Sequence, residues 1–220
     1  MIKCCIFDLD GTILDTIETI THFVNKTLKK HQIDTITEEE CKYFVGDGAR
    51  NLIVRALKSK GITDSATVES VLSDYSKTYD DDPLYMTDVF PGIRELLLAL
   101  AERKIRLAVL SNKPDSTVKS IVESLFSGVF DDVRGGIEGV PLKPAPDIPL
   151  DILRGLGIAP ENTAWIGDTA TDVKTGVNLG VALNIGVLWG FRQRAELQEA
   201  GAHVVVSSPE EILSEVLRVD

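Results

Sequence analysis

The first apolar stretch of the chain ends in two aspartates that are separated by one leucine. The chain begins MIKCCIFDLDGTILD, so Asp8 and Asp10 directly follow a run typical of a buried strand. Side chains two residues apart on a strand share a face, where two carboxylates repel each other unless a cation lies between them. Mg²⁺ suits this position because it binds carboxylate, water and phosphate oxygens. A strand-anchored carboxylate facing a metal-bound phosphate can act as a nucleophile, which nominates Asp8.

Polar residues also follow three other apolar runs. They are Ser111 and Asn112 after RLAVL, Lys143 in the loop GVPLKPAPD, and Asp168 with Asp172 in WIGDTATD. The carboxyl ends of parallel strands lie at one edge of a sheet, so these side chains are expected to lie near Asp8. Each also has a purely structural explanation, since Asp, Ser and Asn commonly cap the following helix; for Ser111 taken alone, capping is the favoured explanation.

The pattern of elements predicts an α/β fold. Apolar, β-branched runs alternate with helical patterns, which indicates parallel strands joined by crossover helices. The predicted strands are IKCCIFDL, KIRLAVLSN, NTAWIGD, GVALNIGVLW and AHVVVSS, and helices such as PGIRELLLALAERK and APDIPLDILRGLG lie between them. We therefore expect a Rossmann-like, doubly wound parallel sheet that binds its ligand beyond the carboxyl ends of the strands.

One stretch interrupts this alternation. From Ile17 to Met86 the sequence shows only amphipathic helical segments, including TITHFVNKTLKKH and ARNLIVRALKSKG. We therefore predict a catalytic core formed by residues 1–15 and 87–220, with an all-helical cap domain inserted at residues 16–86.

Composition restricts the class of partner. The 220 residues carry a net charge of −11, which argues against nucleic-acid binding, and an anionic substrate would need local positive charge at its site. No apolar run approaches the ~20 residues that span a bilayer, and the N-terminus does not resemble a signal peptide. We expect a cytoplasmic protein with a small-molecule substrate, no nucleic acid and no membrane partner; oligomeric state stays open. The scattered histidines do not suggest zinc.

Four motifs resemble those of the haloacid dehalogenase superfamily of phosphotransferases. They are DLDGT near the N-terminus, SNK after the second predicted core strand, a Lys-Pro pair in the third loop and GDTATD in the fourth. The resemblance spans the whole chain, and FVGDGARNLIVRAL in the insert is similar to phosphoglycolate phosphatases. Four motifs in the right order are far more specific than a lone DxD triplet.

The resemblance implies a role for most of these residues. Asp8 would be the nucleophile, with one oxygen on Mg²⁺, and Asp10 the general acid and base, with its backbone carbonyl on the metal. Asp168 would complete the metal site. Asp172 would bind the metal through water or orient Lys143.

The phosphoryl group would be held by a second set of residues. Ser111 would hydrogen-bond the transferring group with help from the Asn112 backbone amide, and Lys143 would neutralise charge between nucleophile and phosphate. Thr12 is taken as a supporting residue. A carboxylate at position 10 favours phosphoryl transfer, because dehalogenating relatives do not need it.

Substrate choice is expected to depend on the insert, whose closure would exclude water from the site. Gly46 and Gly48 permit close backbone approach, Ala49 lies beside them, and Arg50 could bind a carboxylate such as that of phosphoglycolate. The alternative is that the glycines only form a turn and Arg50 is solvated. Trp189 and Phe191 are read as packing residues near the rim of the site, with no assigned role.

The sequence thus predicts a Mg²⁺-dependent phosphomonoester hydrolase that uses an aspartyl-phosphate intermediate, with 2-phosphoglycolate as the first candidate substrate. A pyrophosphatase, a sugar phosphatase or a β-phosphoglucomutase of the same superfamily is the alternative, and a non-catalytic binding module is the alternative from a different class. A mutase would accumulate a bisphosphate intermediate, and a binding module would show no activity for Asp8→Asn to remove.

Overall fold

A computed structural model describes residues 1–219 of the chain. It divides into two compact units. Unit 1 is formed by Met1–Asp15 together with the chain from Val89 onward, and unit 2 is Thr16–Asp88. Within residues 1–219, no helix combines the length and the apolar character that crossing a membrane requires.

Eight strands occur among the described residues. In chain order they are β1 (Cys4–Phe7), β2 (Leu14–Asp15), β3 (Asp88–Val89), β4 (Arg106–Pro114), β5 (Asp132–Gly136), β6 (Thr163–Gly167), β7 (Leu183–Val187) and β8 (Val204–Val206). Six of them form one sheet in the order β5-β4-β1-β6-β7-β8, and all five pairs of neighbouring strands in it are parallel. The short strands β2 and β3 form a separate two-stranded sheet.

The sheet confirms the predicted α/β fold class. Strand β1 lies in its middle, where Cys4 pairs with both Arg106 of β4 and Thr163 of β6. Every residue of β1 is buried, as are those of β6 and β7, since helices cover both faces of a doubly wound sheet. This burial explains why these strands read as continuous apolar runs rather than as alternating patterns.

Ten helices accompany the strands in residues 1–219. They are α1 (Ile17–Lys30), α2 (Glu38–Phe44), α3 (Ala49–Ser59), α4 (Ser65–Asp81), α5 (Ile93–Glu102), α6 (Asp115–Phe126), α7 (Asp147–Leu156), α8 (Ala170–Leu179), α9 (Arg194–Ala200) and α10 (Pro209–Arg218). A short 3₁₀ turn covers Pro160–Asn162. The apolar face of α7 packs on β1, β4 and β6 around Trp165, which is fully buried.

Strand β5 is absent from the sequence prediction. Its residues read DVRGG, and all but Gly135 keep some exposure because the strand lies at the edge of the sheet. An edge strand with one aliphatic residue and two glycines gives neither an apolar run nor alternation, which are the signals that sequence analysis relies on. The other five sheet strands lie where the sequence predicts them.

Unit 2 contains helices α1 to α4, over the segments where the sequence predicts amphipathic helices. Helix α2 begins with a capping box, in which Thr37 accepts from the Glu40 backbone N–H and Glu40 accepts from that of Thr37. Phe23 of α1 packs edge-on against Tyr79 of α4, and Tyr79 in turn contacts Tyr75. These aromatic contacts join the first and last helices of the unit.

Candidate active site

The backbone places Asp8 at the end of β1. Its N–H donates to the carbonyl of Ile166 on β6 (2.9 Å), and the chain then turns sharply, with the Gly11 N–H donating to the Leu14 carbonyl (2.8 Å). Gly11 has φ of 78°, and a Cβ there would collide with the Asp168 carboxylate and the Phe191 ring. The glycine of DLDGT is therefore required both by the turn and by the close approach of its neighbours.

Lys143 lies between two buried carboxylates. Its Nζ donates to Asp8 Oδ1 (2.6 Å) and to Asp172 Oδ1 (2.7 Å), and only 2% of its side chain is exposed. The ammonium also lies 5.8 Å from the centroid of the Trp165 ring, a cation–π distance. Burial alone would lower the pKa of Lys143, but the carboxylates of Asp172 and Asp8 raise it above its ordinary value, so the lysine stays charged.

Asn112 fixes the backbone of this lysine. The Asn112 side-chain Oδ1 accepts from the Lys143 N–H (2.9 Å), and its Nδ2 donates to the Lys143 carbonyl (3.2 Å). The paired bonds hold the loop after β5 against the end of β4, although the two residues are 31 positions apart in the sequence. The Asn112 side chain therefore holds the Lys143 backbone in place, a role that the sequence analysis did not assign to it.

A group of carboxylates suited to a metal ion surrounds the lysine. Asp8, Asp168 and Asp172 are buried, and each offers an oxygen within 4.8 Å of the others. Burial raises the pKa of Asp8 to about 7, with the Asp172 carboxylate adding to the rise and Lys143 opposing it. Burial, together with the neighbouring carboxylates of Asp172 and Asp8, raises the pKa of Asp168 well above its usual range.

The charge balance of this group fits a divalent cation. Three buried carboxylates lie around one ammonium, and the raised pKa values of Asp8 and Asp168 are the expected result of an excess of negative charge in a poorly hydrated place. An all-oxygen donor set with no thiolate or imidazole is the set that Mg²⁺ prefers. The residues present therefore fit the predicted ion.

Asp172 connects the metal group to a helix start. It accepts at Oδ2 from the Thr169 backbone N–H (3.0 Å) and hydroxyl (2.6 Å), forming a capping box at the start of α8. Its other oxygen receives Lys143. The structure thus shows Asp172 in contact with the lysine, as one of the two roles implied for it requires.

Two residues without an assigned role contact the site. The Phe191 backbone N–H donates to Asp168 Oδ2 (2.7 Å), and the Trp189 indole donates to the Thr12 carbonyl (3.0 Å). The Thr12 hydroxyl in turn donates to Asp168 Oδ1 (3.2 Å). The segment WGFR therefore fixes the Asp168 carboxylate. Its position after β7, at the same edge of the sheet, was the available signal, but a backbone donor has no residue-type signature.

The end of β4 holds Ser111 in a local bond. Its Oγ accepts from the Lys113 N–H (3.2 Å), and as the acceptor it keeps its own proton to donate to a ligand. Helix α6 has Pro114 at its N-cap position, so the alternative that Ser111 caps this helix is not the arrangement seen. Lys113 was not singled out in the sequence, yet its Nζ donates to Asp10 Oδ1 (2.7 Å).

The predicted specificity residues lie in unit 2. Gly46 and Gly48 have φ of 113° and 85°, and Gly48 is the N-cap of α3, whose first residue is Ala49. Arg50 makes a bidentate pair with Glu69, both bonds being 2.7 Å and both side chains 57% exposed. The role of this segment in substrate binding stays a prediction, and any carboxylate bound by Arg50 would compete with Glu69.

The histidines have structural partners, as expected of packing or surface residues. His31 pairs with Asp74 (2.8 Å), and His203 Nδ1 accepts from the Asn184 N–H (3.2 Å). His22 packs against Phe23 and Tyr85. Within residues 1–219, none of them belongs to the acidic group of Asp8, Asp168 and Asp172.

Comparison with known proteins agrees with this geometry. A profile described as haloacid dehalogenase-like hydrolase matches residues 5–185, which include the strand-end residues from Asp8 to Asp172. The chain belongs to this family. Its curated relatives include phosphoglycolate phosphatases from Rhodospirillum rubrum (36% identical, covering 82% of this chain and 78% of that protein) and Aquifex aeolicus (33%, covering 86% of each).

A solved structure shares the architecture over nearly the whole chain. It is that of a candidate phosphoglycolate phosphatase from Lactobacillus delbrueckii subsp. bulgaricus, with a TM-score of 0.93 and 33% identity over 97% of this chain and 98% of that one. The likeness therefore includes the helical insert as well as the sheet. The chain and these relatives therefore share a type of fold in which ligands bind at the carboxyl ends of the strands.

Proposed function

We propose that the protein is a Mg²⁺-dependent phosphomonoester hydrolase in which Asp8 accepts the phosphoryl group. The observation that carries the proposal is the position of the Asp8 carboxylate, which lies at the end of the central strand, bonded to Lys143 and within the acidic group. A buried carboxylate gains no stability from such crowding, whereas a nucleophile needs a fixed direction and neighbouring positive charge.

The ion would be held by Asp8, Asp168 and the backbone carbonyl of Asp10, with Asp172 bound directly or through water. When bound, it would neutralise charge on phosphoryl oxygens and on the attacking carboxylate. The contacts from Thr12 and Phe191 would keep the Asp168 carboxylate oriented toward it.

The first half-reaction would form a bond between an Asp8 oxygen and phosphorus while the bond from phosphorus to the ester oxygen breaks. Asp10 would donate a proton to the departing alkoxide. Ser111 would donate a hydrogen bond to a phosphoryl oxygen, and Lys143 would offset the negative charge that the nucleophile and phosphate bring together.

The second half-reaction would hydrolyse the aspartyl phosphate. Asp10, now ionised, would take a proton from a water molecule whose oxygen attacks phosphorus, and the bond from phosphorus to Asp8 would break. Inorganic phosphate and free enzyme would result, with Asp10 protonated again for the next substrate.

The substrate we propose first is 2-phosphoglycolate. Support comes from the two relatives that are named phosphoglycolate phosphatases, which are 36% and 33% identical to the chain. The net charge of −11 means that a dianionic phosphate needs local positive charge, and Lys143 of unit 1 is the candidate to supply it.

Phosphate release from a panel of phosphorylated metabolites tests the proposal. We expect turnover of 2-phosphoglycolate in Mg²⁺, no turnover in EDTA, and no turnover by Asp8→Asn. Asp151→Asn is the matched control because this carboxylate lies on the same unit, 60% exposed in a local pair with Arg154, and should behave as wild type.

Beryllium fluoride trapping adds a direct test of the intermediate. The expected result is an adduct on Asp8 that is absent in Asp8→Asn. Metal-independent turnover, or an Asp8→Asn variant as active as Asp151→Asn, would refute the mechanism, and release of phosphate from pyrophosphate or sugar phosphates alone would refute the substrate.

A further inference from the structure

We propose that Lys113 is the positioning residue for the general acid, holding the Asp10 carboxylate in the orientation from which it protonates the leaving group. The inference rests on the proposed function, because it assigns Lys113 a part in the same reaction. It gives the site two lysines with separate tasks, Lys143 for the nucleophile and Lys113 for the acid.

The contact is short and sheltered. Lys113 Nζ lies 2.7 Å from Asp10 Oδ1, and each side chain is only 14% exposed. The ion pair between Arg50 and Glu69 in the helical insert joins much more exposed side chains, at 57% each. A sheltered pair is less screened by solvent and salt than an exposed one, so it restricts the rotation of the carboxylate more strongly.

The fold holds both partners on neighbouring strands. β1 pairs with β4 through Phe7 and Val109, and both chains continue to the same edge of the sheet, so residues 103 positions apart meet there. The pairing of β4 with β5 shifts register between Leu110 and Pro114, in the segment that carries Ser111 and Lys113. Such irregularities commonly re-aim side chains next to active sites.

The lysine is also tied to the phosphoryl-binding residue. Its backbone N–H donates to Ser111 Oγ, so one short segment would set the position of the phosphoryl group and of the acid relative to each other. A general acid must lie within hydrogen-bond reach of the oxygen that it protonates, and small errors of position are costly. Without the Lys113 ammonium, Asp10 could still act as an acid, but its carboxyl group would no longer be held in the orientation that protonation of the leaving group requires.

The leaving group provides the test. We would measure leaving-group release by Lys113→Met in single turnovers with enzyme in excess, which report the first half-reaction alone, with 2-phosphoglycolate, whose alkoxide needs a proton, and with p-nitrophenyl phosphate, whose nitrophenolate leaves without one. The maximal rate of this first half-reaction is expected to fall about 10²-fold for the alkyl ester, within the range of a general acid's contribution, with little change for the aryl ester and in the half-saturating concentration for either ester.

Three comparisons separate positioning from other roles. Asp10→Asn should show the same dependence on the leaving group, and the double variant should be no worse than Asp10→Asn alone, because the two residues act as one unit. Lys113→Arg, which keeps the charge, should recover part of the activity. Lys119→Met is the control, since this lysine is 54% exposed in a local pair with Asp115.

Several results would overturn the inference. Equal losses in the rate of the first half-reaction with both esters, or losses confined to the half-saturating concentration, would mean that Lys113 binds the substrate and does not act through Asp10. Additive losses in the double variant would also contradict it. Thermal melts identify a folding defect, in which case Lys113→Arg and Lys113→Gln decide: a Gln variant that hydrolyses both esters like wild type refutes the role.

Failure of the proposed function has a different signature. If Asp8→Asn hydrolyses both esters, the phosphatase mechanism itself is wrong. If Asp8→Asn is inactive and Lys113→Met equals wild type with both esters, the mechanism stands and only the role of Lys113 is lost.

Discussion

The two units differ in how deeply they bury the ion pairs formed by their predicted functional residues. At the strand ends of unit 1, Lys143 meets Asp8 and Asp172 across 135 and 29 sequence positions, with side chains that are 10% exposed or less. In unit 2, Arg50 and Glu69 pair on the surface. Burying charge is costly, whereas a surface pair contributes little. The difference supports the proposal that the first cluster performs the chemistry, because a function is needed to offset the cost of burying these charges.

The largest expected effect is that of Lys143→Met. Removing the ammonium takes away the cation that bonds both Asp8 and Asp172, so we expect kcat to fall by about 10²–10³-fold or more in saturating Mg²⁺. Lys30→Met serves as the matched variant in unit 2, because Lys30 is 64% exposed in its pair with Asp74, and it should keep wild-type kcat. Comparable losses in the two variants would break the contrast between the units.

A smaller effect is expected from Gly190→Ala. A Cβ at Gly190 would collide with the Asp168 carboxylate and the Gly11 carbonyl, so the alanine must displace the carboxylate that Phe191 and Thr12 hold. We expect Mg²⁺ binding, measured by titration calorimetry, to weaken about 10–100-fold, as for loss of an outer-shell partner of a metal ligand.

Gly155→Ala is the matched control for that measurement. A Cβ at Gly155 of α7 has nothing within 4 Å, and alanine favours a helix, so Mg²⁺ affinity should be unchanged and thermal stability unchanged or raised. Unaltered affinity in Gly190→Ala would show that the WGFR segment does not control the metal ligand.

The pH dependence of stability probes the acidic group directly. Burial raises the folded-state pKa of Asp8 from 3.8 to about 7, so the folded protein binds this proton more tightly than the unfolded chain does. Its contribution to stability is therefore greatest below about pH 4 and is lost as pH rises toward 7. In EDTA, Asp8→Asn should lack this loss and melt higher than wild type at pH 8.

Added Mg²⁺ should reverse the order of the wild-type and Asp8→Asn melting temperatures at pH 8. An ion that binds the ionised carboxylates of the folded state stabilises wild type more than Asp8→Asn, so adding it at pH 8 should raise the wild-type melting temperature more. Thermal melts at pH 5 and pH 8, with EDTA or Mg²⁺, give the comparison. An Asp8→Asn variant that melts below wild type at pH 8 in EDTA would contradict the raised pKa.

The sequence anticipated the parts of the site that depend on residue type at strand ends. The strands β1, β6 and β7 are buried throughout and mostly apolar, so the polar residues that follow them stand out, and the parallel topology predicts that these residues meet. It did not anticipate the edge strand β5, nor the Phe191 N–H that holds Asp168. Backbone donors and polar edge strands leave no distinctive residue pattern.

Lys113 is an intermediate case. It stands two residues after Ser111, and alternation along a strand places such residues on the same side. The sequence therefore offered a reason to consider Lys113 as a further site residue. What the sequence lacked was its partner: Asp10 lies 103 positions away, and only the pairing of β1 with β4 brings the two together. Long-range ion pairs of this kind follow from topology and register rather than from local pattern.

The smallest expected effect tests the insert, through Arg50 and Glu69. If Arg50 binds the carboxylate of the substrate, Arg50→Ala should raise KM a few-fold for 2-phosphoglycolate and leave KM for a neutral sugar phosphate unchanged, with little effect on kcat. Because Glu69 occupies both guanidinium nitrogens in the structure, Glu69→Gln should release the arginine and lower KM for the carboxylate substrate alone. The two variants should thus move KM in opposite directions from wild type. Equal shifts for both substrates, or the same direction in both variants, would assign this pair to the surface of the insert and move the search for the specificity residue elsewhere.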